Sequence, residues 1–310
     1  MKKSDVLVVE ISGKRPGTSA QRKTEKMQID FDHLIISNNS DGYITDWKIV
    51  MVPDDYREWY IANHKNSDNA WYAPMNRSYA IKYAREQGYK YLVQMDDNIT
   101  NLEICYKIGG KKYRATGINM INDYIEMLVC VIENTNAAVS GCQLMAIERP
   151  QKCMLAERYC YSLFCLNLET CPSVFHGDYE DDIEYRLKCA ELGLPEVQIC
   201  PLRYGKTGQK SNKDETGNRA AYTAVGLKRG EHMRKIHGDI YSCGSYWKTS
   251  SFKCNDKGSY FQHRLKPFKV GVQVKDMDAI NKKMSEILVK NAQHQPDKVV
   301  VKEKKKKDAR

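Results

Sequence analysis

Two adjacent carboxylates and an amide, Asp96-Asp97-Asn98, close the apolar run from Tyr91 to Met95. Neighbouring like charges repel, so the pair persists either as a solvated acidic turn or with a cation between its oxygens. A hard divalent cation here would use one or two of the carboxylates and fill its other positions with the phosphate oxygens of a nucleotide. A second acidic run, His176 to Arg186, carries acids at 178, 180, 181 and 182. Acids suit the positive end of a helix dipole, but four exceed what capping requires. With Ile183 and Leu187 turned to a core, Glu180 or Asp181 faces a cleft. A carboxylate so placed can take the proton from an attacking hydroxyl. The third run is Ala73-Pro-Met-Asn76-Arg77. An amide and a guanidinium at a helix start are either an ordinary cap or an anion site, where free backbone N–H groups and the guanidinium face a phosphate.

These runs need elements to hold them. Asp5 to Ser12, His33 to Ser37 and Lys48 to Pro53 read as strands, and the apolar run ending at Met95 as another. Pro74 to Gly88 reads as a helix with Tyr79, Ala80, Tyr83 and Ala84 at core spacing. A helix from Ala20 to Met27 is expected after the Gly13 to Ser19 break. Strand, break and helix alternate, which argues for parallel crossover units. Further along, Tyr106 to Tyr113 predicts a basic hairpin turning at Gly109-Gly110. Asn119 to Asn134 predicts an amphipathic helix, Ala137 to Ile147 a strand, and Lys152 to Leu168 one or two more. Tyr179 to Leu192 predicts a helix stopped by Gly193, and Gln198 to Leu202 a strand. Arg203 to Arg219 has no apolar periodicity and reads as a loop carrying Lys206 and Lys210. A partly helical stretch from Ala220 to His237 and a strand and helix within Val270 to Ala292 are expected after it. The tail from Pro296 is charged and of disordered composition.

Composition bounds the class. The 310 residues are 28% charged and 42% hydrophobic, the balance of a globular protein. Net charge is +10, of which the tail from Lys302 to Arg310 carries +4 (six Lys/Arg, two acids). That permits a polyanionic partner without requiring one. Eleven cysteines occur with no CxxC pair and no Cys/His zinc spacing. Reduced thiols in a cytoplasm account for them. No run approaches the roughly 20 apolar residues needed to span a bilayer, so no membrane partner is expected.

Taken together, the three runs resemble the GT-A nucleotide-sugar glycosyltransferases. That family has an Asn/Arg helix, a strand ending in an acidic metal motif, and a later Glu-Asp-Asp helix start. The resemblance implies an α/β fold with a Rossmann-like, mixed, mainly parallel sheet flanked by helices, in a single domain with loop elaborations. It divides residues 1–270 into a nucleotide-binding half (1–104) and an acceptor half (105–270), followed by a strand and helix (271–295) and a basic tail (296–310). Glu180-Asp181-Asp182-Ile183 with Arg186 is similar to the run of inverting galactosyltransferases. By that likeness Asp181 is the general base, and Asp182 and Glu180 bind acceptor. Asn76, Arg77, Asp96, Lys206 and Lys210 would bind the nucleotide-sugar. Asp96, Asp97 and Asn98 would hold Mn²⁺ or Mg²⁺, with His237 of Met233-Arg-Lys-Ile-His237 as a further ligand and His232 as its alternative. The metal motif is Asp-Asp-Asn rather than Asp-x-Asp, so which of the three ligates stays open.

Met95 to Ile99 further resembles a narrower group, the TET/JBP-associated glycosyltransferases. These include base J glucosyltransferase and phage enzymes that decorate hydroxymethylated pyrimidines in DNA. This implies a UDP-sugar donor and a hydroxymethylcytosine acceptor in DNA, with the Lys107 to Arg114 hairpin, the Arg203 to Lys213 loop and the tail touching phosphates. A GT-A enzyme acting on a protein, lipid or glycan hydroxyl is the alternative. A non-enzymatic DNA-binding protein is a further one, and the lack of a helix-turn-helix or zinc signature counts against it.

Overall fold

The computed structural model describes residues 1–13, 26–64, 72–108, 111–145, 154–176, 181–206, 243–245, 261–263 and 269–294. Most of these residues build one ten-stranded sheet with helices on both faces. Its strands are β1 (Val6–Ile11), β2 (Asp32–Ser37), β3 (Ile49–Met51), β4 (Tyr91–Asp96), β5 (Ile99–Ile108), β6 (Lys111–Thr116), β7 (Val139–Leu144), β8 (Leu155–Glu157), β9 (Leu163–Asn167) and β10 (Glu196–Lys206). Their order is β3-β2-β1-β4-β9-β7-β10-β5-β6, with β8 paired to β10. Following the pairings, β5, β8 and β9 run one way and the other seven strands the opposite way, so the sheet is mixed and mainly parallel. A separate two-stranded pair joins Cys243–Ser245 and Phe261–His263.

All six residues of β1 are buried, as expected of a strand covered on both faces. Alternation along it sends Leu7, Val9 and Ile11 to one core and Val6 and Val8 to the other. The first core is covered by α1 (Asp54–His64), α2 (Tyr72–Glu86) and α4 (Asp181–Glu191). The second is covered by α3 (Ile121–Glu133) and α5 (Met277–His294). In α2, Met75, Ala80 and Ala84 are fully buried, and the small alanines let the helix lie close on the sheet. The helix gives way to Gly88, and α4 to Gly193, each at positive φ where glycine carries no steric penalty.

Four elements differ from the sequence expectation. The helix α1 was not anticipated, although Pro53 followed by Asp54 and Asp55 is a helix-start signal. Residues 203–206 are not loop but the last four of β10, held by pairing with β5. Among the described residues no strand forms after Val270; Val274 makes a single bridge to Thr135, and α5 follows. The α2 helix begins at Tyr72, so Asn76 and Arg77 lie in its second turn. Their N–H groups therefore face the carbonyls four residues back rather than an anion. As expected, Lys152 to Leu168 supplies two strands, β8 and β9. The hairpin β5–β6 forms in the anticipated register, with Ile108 opposite Lys111. The expected helices at 20–27 and 220–237 and the tail lie outside the described residues, apart from Lys26 and Met27.

Candidate active site

The order in which strands are added reverses at β1, since β2 and β3 extend the sheet one way and β4 the other. The strand has β2 on one side and β4 on the other, and the crevice at their C-terminal ends is where an open α/β sheet takes ligands. Three of the four distant regions that the sequence singles out meet there. Asp96 ends β4, Arg77 comes from α2, and Asp181 opens α4. Arg77 Nη2 lies 2.6 Å from Asp96 Oδ1, and Arg77 Nε lies 3.1 Å from Asp181 Oδ2. One buried guanidinium therefore joins the acid that ends β4 to the acid that opens α4.

The surroundings fix that guanidinium. Arg77 Nη1 donates to Gln94 Oε1 at 3.4 Å, and Gln94 Nε2 donates back to the Arg77 carbonyl at 3.0 Å. The ring centroids of Phe164 and Phe175 lie 5.3 and 5.8 Å from its central carbon, within cation–π range. Phe175 itself stacks on Tyr185 of α4 at 3.8 Å and is tied to α2 by Ser78, whose Oγ accepts its N–H. Burial works against the charged guanidinium, but Asp96, Asp181 and Asp182 together hold its pKa above the ordinary arginine value.

A second hydrogen-bonded group lines the β1/β4 side. Ser12 Oγ donates to Asp97 Oδ2 at 2.8 Å. Because that proton is committed, the Tyr43 hydroxyl, 2.7 Å away, is the donor to Ser12 Oγ. Asn76 Nδ2 donates to the Ser12 carbonyl at 2.9 Å. The carboxamide oxygens of Asn38, Asn76 and Asn98 are buried and have no hydrogen-bond partner among the described residues. Buried acceptors of this kind usually find donors, water or an ion. On the other side of Asp96, Lys206 Nζ lies 3.6 Å from its Oδ2 and donates to Ser162 Oγ at 2.9 Å. Ser162 has φ 54, the one non-glycine residue at positive φ among those described, and its carbonyl accepts the Asp96 N–H at 2.8 Å. Left-handed backbone costs a residue with a Cβ free energy, and such strain gathers at functional sites.

Among the described residues, no three His, Cys, Asp or Glu side chains surround one point as metal ligands would. The oxygens of Asp96, Asp97 and Asn98 suit a hard cation in kind. Asp96 is already engaged by Arg77 and Lys206, so the fit rests chiefly on Asp97 and the partnerless Asn98 Oδ1. Asp182 Oδ1 accepts the N–H of Ile183 at 2.9 Å, one of the orphan donors of the first turn of α4. Glu180, Lys210, His232 and His237 lie outside the described residues. Ser12, Tyr43, Gln94, Ser162 and the two phenylalanines went unnoticed in the sequence. Position was a local signal for Ser12 alone, which directly follows β1.

No protein-family model matches the chain, and no curated protein matches it significantly. Several solved structures share its general architecture. A nucleotide-diphospho-sugar transferase structure from Desulfovibrio desulfuricans has 12% identity and a TM-score of 0.36, over 72% of this chain and 96% of its own. Glucosyl-3-phosphoglycerate synthase of Mycobacterium tuberculosis, solved with Mg²⁺ and UDP, has 9% identity and a TM-score of 0.42, over 88% and 90%. Mannosyl-3-phosphoglycerate synthase of Rubrobacter xylanophilus has 12% identity and a TM-score of 0.41, over 90% and 88%. The likeness is one of general architecture.

Proposed function

We propose that this chain is an inverting, divalent-cation-dependent glycosyltransferase. It moves a sugar from a UDP-sugar to the 5-hydroxymethyl group of a pyrimidine, hydroxymethylcytosine, in DNA. The observation that carries the transferase reading is the convergence of Asp96 and Asp181 on Arg77 at the β1/β4 crevice. Donor chemistry and acceptor chemistry must meet within a few ångströms for a direct displacement, and this arrangement supports that.

In this reading the nucleotide lies over the ends of β1 and β4, with Asn38 and Asn76 presenting polar groups to it. Asp97 and Asn98, with Asp96, would hold Mg²⁺ or Mn²⁺, which when bound neutralises charge on the diphosphate leaving group. Lys206, fixed by Ser162 at the end of β10, adds a cation on the other side of Asp96. Asp181 accepts the proton of the acceptor hydroxyl as its oxygen attacks the anomeric carbon. The bond to the diphosphate breaks on the opposite face, and the configuration inverts. The acceptor identity rests on the sequence resemblance around Met95 to Ile99. Incubation with a panel of UDP-sugars and hydroxymethylcytosine DNA, followed by nucleoside mass measurement, tests it. A mass increase of one sugar is expected; unchanged nucleosides with every donor would remove the DNA acceptor. Asp181→Asn is expected to lower transfer by about 10²- to 10⁴-fold while UDP binding persists.

A glycan hydroxyl is the second reading, and one feature favours it. The rings of Tyr79, Tyr56, Trp59, His64 and His176 follow one another at 5.1, 5.3, 4.9 and 5.6 Å. The row begins in a groove of about 390 Å³ that also includes Asp55 and Lys82, and it ends five residues before Asp181. Aromatic faces flanked by one acid and one base suit a neutral polyol better than a polyanion. Transfer to small glycan acceptors that is indifferent to DNA would select this reading.

A further inference from the structure

Arg77 is the residue whose environment departs furthest from its sequence expectation. The family resemblance gives it to the nucleotide, yet its three guanidinium nitrogens already face Asp181, Asp96 and Gln94. It is 7% exposed, and two phenylalanine rings lie against it. Buried beneath two rings and drawn to two carboxylates, this guanidinium is poorly exposed to a diphosphate. Lys206, with 24% of its side chain exposed, is the better placed of the two cations to meet one. Arg77 also connects three elements that carry the chemistry, α2, β4 and α4, at the level of their side chains.

We infer that Arg77 is a positioning residue rather than a nucleotide ligand. It aims the Asp181 carboxylate, keeps it ionised, and ties it to the donor-side acid Asp96. This rests on the transferase reading above for its role in catalysis, but its physical content does not. A cation at 3.1 Å favours the charged form of a carboxylate whether or not sugar is transferred. A fork-shaped cation can serve two carboxylates at once, which an ammonium on a flexible stem does poorly. Arg77→Lys is therefore not a conservative change here.

The test uses the full chain with Arg77→Lys and Arg77→Met, each first checked for folding by thermal unfolding. If Arg77→Met does not fold, Arg77→Lys carries the same comparisons. UDP affinity, read by calorimetry, is expected to change less than about threefold. The carboxyl-carbon NMR signal of Asp181 is expected to titrate at higher pH in Arg77→Met than in the wild type, with a smaller displacement in Arg77→Lys. The acid limb of the kcat/KM profile should move with it, and kcat should fall about 10²-fold or more with donor KM nearly constant. An unmoved Asp181 titration, or UDP binding weakened tenfold or more, overturns the inference. A shifted titration in a protein that transfers no sugar to any acceptor upholds the positioning role and sinks the transferase reading instead. Transfer with an unmoved titration does the reverse.

Discussion

A buried hydroxyl with one proton has to choose its acceptor, and Ser12 spends its proton on Asp97. That choice makes Ser12 a support for the carboxylate most available to a cation, with Tyr43 donating behind it. Supports of metal-ligating carboxylates typically matter by 10- to 100-fold in affinity. Ser12→Ala is therefore expected to weaken Mn²⁺-dependent UDP binding by about tenfold while leaving cation-independent binding alone, as calorimetry with and without Mn²⁺ would read. Equal loss under both conditions would move Ser12 from the cation to the nucleotide. At the same scale, Arg77 and Lys206 divide the positive charge around Asp96. One is locked between two acids, and the other is held by Ser162 and about a quarter exposed.

The elements around the site are held by close packing and by one buried acid cluster. Gly141 of β7 lies so close to Cys160 that a Cβ would come within 2.5 Å of that residue's own Cβ and 2.6 Å of its sulfur. Neither neighbour is the end of a long side chain, so Gly141→Ala must push β7 away from residue 160. A loss of about 1–3 kcal/mol is expected in denaturant unfolding. In α4, Arg186 is fully buried and pairs with Glu157, which also accepts the N–H groups of Val270 and Gly271. Glu196 lies in the same cluster, and its Oε2 accepts the Cys160 N–H at 3.2 Å. Burial pushes the Glu196 pKa up to about 8, against the opposing pull of Arg186 and that N–H. Its folded pKa exceeds its unfolded value near 4.5, so between those pH values the folded state binds the extra proton. Stability from this group is thus lost as pH rises from about 4.5 to about 8. Glu196→Gln should flatten that fall, giving a higher Tm than wild type at pH 8 and a similar one at pH 4.5. Parallel Tm-versus-pH curves for the two proteins would rule the cluster out as the cause.

At the scale of the molecule, one sheet carries both halves of the proposed chemistry, and charge decides what can approach it. The net charge of +10 includes +4 from residues 302–310. If DNA is the acceptor, each phosphate contact contributes roughly −0.9 to the slope of log affinity against log salt. Removal of residues 296–310 should then lower the magnitude of the slope for hydroxymethylcytosine DNA, as fluorescence anisotropy over a salt series would report. A slope near zero for the whole chain would point to an uncharged acceptor and to the aromatic row on α1 and α2.

Much of the frame was legible in the sequence. The apolar run into Asp96, the alanine spacing of α2 and the placement of Ile183 and Leu187 all appear in the fold, because strand and helix periods write themselves into local burial patterns. The acids at 96 and 181 were likewise identifiable by type and position. What they touch was not. Arg77 looked like a helix-start anion ligand until Tyr72 proved to begin the helix, and Lys206 looked like loop until β5 gave it a strand to pair with. Side-chain partners are chosen between segments far apart in the chain, when packing excludes water and each buried charge must be matched. Sequence therefore determined which residues could do chemistry and which elements hold them. Only tertiary structure decided that one guanidinium would bind the two acids, since that depends on where three separate elements end against each other.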